Sequence, residues 1–442
     1  MSDFNYLDLC ADCVRKAVGL GAEWCDVSAG TGRDISVSVE KSGIKTADAG
    51  QGDDVAIRVF VKGGMGYASV SGRDPGDIDE AVRRAVALAN EASADPDFKS
   101  LPPPQPAPEV DGLFDDRIAG MGVDDVVRIT VANLEAGKAL EPEANLSGHV
   151  GLSVGRGALA SSAGVALESR GTDIAADIEA LVKRGGDTGY FYEFDFGRQL
   201  ADCRLDDVAA GAVLGARRFL GARRIKSGRM ALVLGPLASY GFLGGVVAAA
   251  NAESIQRGRS YLCGKVDEII ASPVLTVIDN GLVPRGVRSG AHDGEGTRRR
   301  PLTVIDRGRL VSLLHNSYTA GKACTESTGH GTHSGGISPT NLRPALGART
   351  ASEILREVTE GIYLESGELR ADPASGDISA SIDFGFLIRN GELVHPVESA
   401  MIGGNIFDLL ERLDAVSSDA REEPGVLMPT LRIQDVQIAG AE

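Results

Sequence analysis

Residues 230–252 read MALVLGPLASYGFLGGVVAAANA, and no side chain in this stretch is charged. An uncharged run longer than about 18 residues is long enough to raise a membrane-spanning helix. Gly235-Pro236 divides this one. Proline lacks the amide that a helix interior needs but suits a first helical position, so it marks a start. The reading is a strand, MALVL, then a turn, then a separate buried helix of small residues over Leu237–Ala252. Four glycines, one proline, Ser239 and Tyr240 fit such a unit better than a lipid-facing span. The stretch carries no His, Asp, Glu or Cys until Glu253, where the polar run ESIQRGRSYLCG begins.

Upstream, residues 1–225 read as an internal duplication. In the first unit a helix over residues 5–20 precedes GAEWCDVS and the alternating Ile35, Val37 and Val39. Val55, Ile57, Val59 and Val61 alternate into Gly63-Gly64-Met65-Gly66-Tyr67. DPGDIDEAVRRAVALANEA follows as a capped helix, with Asp77 and Asp79 near its positive end. In the second unit a helix over 122–140 precedes strands around Val150–Val154 and Gly164–Glu168. Ile174, Ala176, Ile178, Ala180 and Val182 alternate into Gly185-Gly186-Asp187-Thr188-Gly189-Tyr190, and LDDVAAGAVLGARRFL closes the unit as a helix. LPPPQPAPEV at 101–110 is too proline-rich for helix or central strand and links the units. Two helix–antiparallel-strand–helix copies predict one α+β domain with pseudo-two-fold symmetry.

Residues 226–442 read mainly as β hairpins. LTVIDRGRLVSLL turns at Asp306-Arg307-Gly308. ISASIDFGFLIRNGELV alternates Ile378, Ala380, Ile382, Phe384, Phe386 and Ile388, then turns at Asn390-Gly391, a type I′ hairpin signal. A capping box, Thr350-Ala351-Ser352-Glu353, starts a helix between them. The expectation is a mainly antiparallel β domain, a twisted sheet or partial barrel with few helices. Its strand edges are places where an extended peptide can dock.

Composition narrows the function. Net charge is −17, which repels a phosphate backbone and argues against a nucleic-acid partner. Arg298-Arg299-Arg300 reads as a solvated turn before Pro301. MSDFNYLDLC shows no basic stretch followed by an apolar one, so no secretory signal is expected. Six scattered cysteines fit reduced thiols in the cytoplasm. Cys10 and Cys13 fall in the amphipathic pattern Tyr6, Leu7, Cys10, Val14, Ala17 and read as a helix core face.

No phosphate-binding P-loop occurs, and no G-x-G-x-x-G sits in dinucleotide-binding context. A metallopeptidase helix needs two imidazoles about one turn apart and a nearby Glu to activate water, and no His-Glu pair exists here. His330 and His333 form the one close histidine pair, in the loop TESTGHGTHSGG after Cys324. These three are candidate ligands for a relocated metal site. His292-Asp293-Gly294-Glu295 also gathers imidazole and acid, though its glycines read as a turn.

The chain resembles the TldD/PmbA family, once called modulators of DNA gyrase, whose members act as peptidase subunits. RGRSYLCGKV (257–266), HDGEGTRRRPLTVIDRGRLVSLLHNSYTA (292–320) and SPTNLRPALG (338–347) carry the likeness. ASEILREVTEGIYL (351–364) and LIRNGELVHPVESAMIGGN (387–405) continue it, and GAEWCDVS and VAIRVFVKGGMGYAS look like the family's first domain.

The resemblance implies that catalytic TldD-type members carry HExxxH on a helix just before the segment corresponding to RGRSYLCG, with a later Cys ligand. Counted back without gaps, the two His positions fall near Leu243 and Val247 and the Glu near Gly244; no cysteine follows Cys324. The chain therefore looks like the TldE/PmbA type. A helix freed of ligands is expected to fill with small apolar residues for close packing.

That likeness implies no catalytic, cofactor-binding or metal residue in this chain, and zinc in a TldD-type partner. It implies a heterodimer (or a homodimer) whose C-terminal domains meet around a shared cavity. Unfolded peptides would be the substrate, in the cytoplasm, with no nucleic acid and no membrane involved. The alternatives are an autonomous metallopeptidase using Cys324, His330 and His333, or a peptide-binding or assembly protein without protease activity.

Overall fold

The structure is a computed structural model and describes residues 4–106 and 108–441. Helix α1 (Tyr6–Gly19) starts at Asn5, whose side chain accepts from the Asp8 amide, and buries Tyr6, Cys10, Cys13, Val14 and Ala17. The Cys10–Cys13 pair is thus core. Strands β1 (Trp24–Glu40), β2 (Gly43–Val61) and β3 (Gly64–Ser71) follow, then α2 (Pro75–Glu91), capped by Asp74 with Pro75 in its first turn. The second unit runs through α3 (Asp116–Gly120), α4 (Val123–Leu140), β4 (Asn145–Ser161), β5 (Ala166–Arg184), β6 (Asp187–Gly197) and α5 (Val208–Arg218). The proline-rich linker forms neither helix nor strand where it is described; Ala107 lies outside the described residues, as do Met1 to Asp3 of the N-terminal stretch.

These six strands make one antiparallel sheet in the order β3-β2-β1-β4-β5-β6, and β1 pairs with β4 where the units join. The order reads the same from either edge in terms of the units, which is the expected pseudo-symmetry. Each unit has a third strand that the alternation alone did not resolve. Lys62 and Gly63 turn with positive φ into β3, and Gly185 and Gly186 turn into β6. The glycines that follow are required by packing. A Cβ on Gly66 would sit 2.0 Å from the Ala85 carbonyl oxygen, and one on Gly189 2.0 Å from that of Ala216, so α2 and α5 approach the third strands backbone to backbone. Alternate residues of a strand share a face. The odd-numbered core residues of β1 all face the helices: Val27 and Ala29 join α1 and α2, while Ile35, Val37 and Val39 join α4 and α5. The even-numbered face is turned toward the C-terminal half.

That half begins with β7 (Gly228–Leu234), α6 (Pro236–Ala249) and α7 (Ala252–Gln256). Then come β8 (Val277–Asp279), β9 (Leu302–Asp306), β10 (Arg309–Leu310), α8 (Ser317–Lys322), β11 (Leu342–Pro344) and α9 (Ala351–Arg356). The chain ends with β12 (Glu360–Ser366), β13 (Asp377–Ser381), β14 (Phe384–Arg389), β15 (Glu392–Pro396), β16 (Met401–Asn405), α10 (Ile406–Glu411), β17 (Leu413–Glu423) and β18 (Val426–Ala439). A curled half-barrel sheet has the order β13-β16-β18-β7-β12-β14-β15, with β17 on β18; a small second sheet has the order β10-β9-β8-β11. The capping box at Thr350–Glu353 and the hairpin at Asn390-Gly391 form as expected, with positive φ at both turn residues.

Two expectations fail. The strands expected around Gly164–Glu168 and over Ile174–Val182 are the single strand β5, which starts at Ala166. The alternating run Ile378–Ile388 is not one strand, because β13 pairs with β16 while β14 pairs with β12 and β15. The chain bends at Ile382, whose amide donates to the Ala400 carbonyl and whose side chain is buried against Gly385. The alternation continues through the bend because Ile382 belongs to the core on either side of it. The stretch Met230–Ala252 forms the expected strand, turn and helix, and no helix of the described residues is long and apolar enough to cross a membrane.

Candidate functional site

Helix α6 has two unlike faces. Ala238, Ser239, Phe242, Leu243, Val246 and Val247 are buried, most of them in one core with Leu232, Leu234, Ile362 and Leu431 of the curled sheet. Tyr240, Gly241, Gly244, Gly245 and Ala248 line a cavity of about 510 Å³, which Phe242 and Val246 also border. A Cβ on Gly244 or Gly245 would meet no heavy atom within 4 Å, and one on Gly241 only the Gly367 carbonyl oxygen at 3.7 Å. The glycines therefore leave space rather than close it, which corrects the expectation of close packing. Of the positions reached by the ungapped count, Leu243 and Val247 are buried and Gly244 lines the cavity. From that open face, residues one turn apart would aim two side chains at one point.

The walls come from both sides. The Ser260 hydroxyl donates to the Ala249 carbonyl at 2.7 Å, and the Tyr261 amide donates to the Pro373 carbonyl at 2.7 Å. These two bonds pin RGRSYLCG between the helix and the 368–373 loop. Tyr261 meets Phe407 edge-on at 5.8 Å, and burial pushes its phenol well above the ordinary value. Arg259, Glu368 and Arg370 supply charge at the rim, the last two paired at 3.0 Å. A zinc ion does not fit this floor, since Gly241, Gly244, Gly245 and Ala248 offer no side-chain donor.

A second polar site lies where the even-numbered face of the sheet meets the C-terminal loops. Arg58 of β2 stands opposite Asp26 of β1 and donates to both its oxygens, at 3.0 and 2.7 Å. It also reaches Glu295 Oε1 at 3.1 Å, and Glu295 Oε2 accepts from the Ser317 amide at 2.7 Å. All three charged side chains are buried. Asp293 accepts from the amides of Glu295 and Thr297 at 2.9 Å and of Gly331 at 2.7 Å, so His292–Glu295 is indeed a turn, folded on its own carboxylate. Burial, with the Glu295 charge beside it, pushes the Asp293 carboxyl up to about 6. Burial also holds His292, His315 and His333 below the ordinary imidazole value.

The candidate metal ligands do not converge. His330 Nε2 is 3.1 Å from Asp279 Oδ1, and its Nδ1 is 2.9 Å from the Thr328 hydroxyl. His333 Nε2 stands 3.9 Å from Asp26 Oδ2, while Cys324 is exposed just past α8. Among the described residues no three His, Cys, Asp or Glu side chains are arranged to hold a metal ion.

A cleft of about 890 Å³ separates the sheet from these loops. Gly32 and Gly155, directly opposite on β1 and β4, form part of its floor, and His292, Arg299, Arg198 and His333 line its walls.

Residues 227–440 match the model of the PmbA/TldA metallopeptidase C-terminal domain, and residues 25–89 that of PmbA/TldA metallopeptidase domain 1. The chain belongs to the TldD/PmbA family. A protein of Methanothermobacter thermautotrophicus named Metalloprotease is 27% identical over 433 residues, covering 90% of this chain and 89% of its own. Metalloprotease PmbA of Escherichia coli O157:H7 is 25% identical over 421 residues, covering 92% and 90%. The crystal structure of TldE from Thermococcus kodakarensis matches with a TM-score of 0.89 at 25% identity, over 97% of this chain and 99% of that one.

Sequence reasoning located the α6 segment but missed its open face. It did not group Asp26, Arg58 and Glu295, because the three residues come from separate segments; of these only Glu295 stood out, within His292–Glu295. It also misread Arg299. Arg298 is exposed, as a solvated turn requires, but Arg299 is largely withdrawn from water and donates to the Arg288 carbonyl at 2.5 Å. The signal that was available is glycine within alternating strands, which marks a bulge or a close approach. Gly52, Gly32, Gly155 and Gly171 stand abreast on β2, β1, β4 and β5.

Proposed function

We propose that this chain is the non-catalytic, metal-free subunit of a TldD/TldE-type metallopeptidase that acts on unfolded peptides in the cytoplasm. The observation that carries the reading is the open face of α6: a helix that lines a cavity at the place where catalytic relatives are expected to hold zinc, built here from Gly241, Gly244, Gly245 and Ala248. Helix propensity and packing do not account for glycines at Gly244 and Gly245, since glycine is a poor helix former and side chains there would meet nothing. The likeness to the Thermococcus TldE along nearly the whole chain supports the same assignment. In this reading a TldD-type partner supplies the zinc and the base, and the α6 cavity forms one wall of a chamber shared by the two C-terminal halves. Six free cysteines, three of them buried in the α1–β1 core, fit a reducing compartment.

The test is co-purification with a TldD-type protein from the same genome, followed by metal analysis and a peptide-cleavage assay. The expected result is a stable heterodimer, zinc that tracks the partner, and cleavage only when both chains are present. Zinc near one per chain in this protein alone, lost on His330→Ala or His333→Ala, would overturn the reading. So would cleavage by this chain without a partner.

A further inference from the structure

We propose that the cleft between the sheet and the 289–299 loop binds an extended peptide segment that bears a carboxylate, with Arg299 as the side chain that receives it. The charges at one end of the cleft carry the argument. Arg299 has no carboxylate within 4 Å among the described residues; its one hydrogen bond runs to a carbonyl, and its buried Nε has no partner. Arg198 lies close by, its guanidinium spent on the carbonyls of Gly286, Leu113 and Val287, with Asp173 no nearer than 3.9 Å. His292 is held by its Nδ1 on the Asp293 carbonyl, and burial, with the Arg299 charge beside it, lowers its pKa, so it supplies no anion to Arg299. Asp293 and Asp279, the carboxylates whose charges act on Arg299, are engaged elsewhere: Asp293 accepts from three backbone amides, and Asp279 meets His330 Nε2 at 3.1 Å and accepts from the Thr340 amide at 2.7 Å. Four buried side-chain polar atoms lack a hydrogen-bond partner among the described residues, and two of them, Arg299 Nε and His333 Nε2, belong to residues that line this one cleft.

A withdrawn guanidinium without a counter-ion is costly to keep, and its planar fork matches a carboxylate. The shape of the cleft points to what bears that carboxylate. A Cβ on Gly32 or Gly155 would come no nearer than 3.9 Å to any heavy atom, so none of the described residues packs closely on these two glycines. Glycine within a strand weakens it and admits the close approach of another backbone. Asp173 and Asp293 in the walls and the net charge of −17 disfavour a phosphate polyanion and favour a single carboxylate. That the carboxylate belongs to a peptide rests on the function proposed above; that the cleft takes an anion rests on its own side chains.

The experiment is fluorescence anisotropy with the full chain and two labelled ten-residue Gly/Ser peptides, one carrying two Glu and its twin two Gln. The Glu peptide is expected to bind roughly tenfold tighter, the effect of one charge-assisted hydrogen-bonded contact. Arg299→Met should abolish the difference. Gly155→Val, which adds bulk to the floor at a strand position open to it, should weaken both peptides while the melting temperature holds. If Arg299→Met does not fold, Gly155→Val and Gly32→Val decide the matter. Equal binding of the two peptides by the unaltered chain, or a Glu preference that survives Arg299→Met, would overturn the inference. Cleavage of the Gln peptide by the reconstituted heterodimer would leave the partner reading standing in that case, and cleavage by this chain alone would end the partner reading whatever the peptide's charge.

Discussion

Arg58 and Arg299 both sit where the six-stranded sheet meets the C-terminal loops, and both are largely withdrawn from water. Their surroundings differ in kind. Burial alone would lower the pKa of the Arg58 guanidinium, but Asp26 and Glu295 more than offset this and hold it above its ordinary value. Burial lowers Arg299, and Asp293 and Asp279 only partly counter it. A charge matched within the chain holds two halves of the fold together. A charge left unmatched is better explained by something the chain binds.

The largest effect is expected where that contrast is sharpest. Arg58→Met leaves Asp26 and Glu295 buried and facing each other without a cation, which should cost about 3–5 kcal/mol in chemical denaturation. Arg299→Met keeps the side-chain bulk and removes a charge without a counter-ion, so stability should hold to within about 1 kcal/mol or rise. Equal losses in the two variants would erase the distinction between a structural and a binding guanidinium.

Glycine offers the same contrast at smaller scale. Gly66→Ala drives a methyl into the Ala85 carbonyl and should cost about 1–3 kcal/mol, as overpacking does. Gly244→Ala places its methyl in open space on a helix and should gain up to about 1 kcal/mol from helix propensity. Thermal melts of the two single variants check this. A loss at Gly244 would mean that the α6 face is packed after all.

The two glycines also show what sequence can convey. Alternation in β1, β2, β4 and β5 was legible because a strand half covered by helices must alternate, and the duplicated spacing exposed the pairing of units. The third strands were harder, since a strand that begins in Gly-Gly and carries an inward glycine shows little alternation. In Ile378–Ile388 the alternation was real and misleading, because a buried residue at the bend kept the pattern unbroken. The open face of α6 was invisible for a related reason. Its residues are as apolar as those of the buried face, so no change in polarity marks the boundary, and only the absence of side chains distinguishes the two. Asp26, Arg58 and Glu295 could not have been grouped at all without the topology that brings β1, β2 and the 293–295 turn together.

The smallest expected effect concerns the pH response of that junction. Burial holds His333 below the ordinary imidazole value, so in the folded state it takes up its proton at lower pH than in the unfolded chain. The contribution is fully present above about 6.5, the unfolded value, and is lost as pH falls toward the folded one. Asp293 acts in the opposite sense: its folded carboxyl titrates near 6, above its ordinary 3.8, so the folded state gains a proton first and is favoured as pH falls between those values. The two effects overlap only below about 6. Between pH 7.5 and 6 the histidine acts without that opposition, and the melting temperature should fall across this interval. His333→Gln, which cannot be charged, should flatten the fall while leaving the pH 7.5 value close to that of the unaltered chain. If the slope is unchanged in His333→Gln, the junction's pH response arises from His292 or His315, which burial shifts in the same direction.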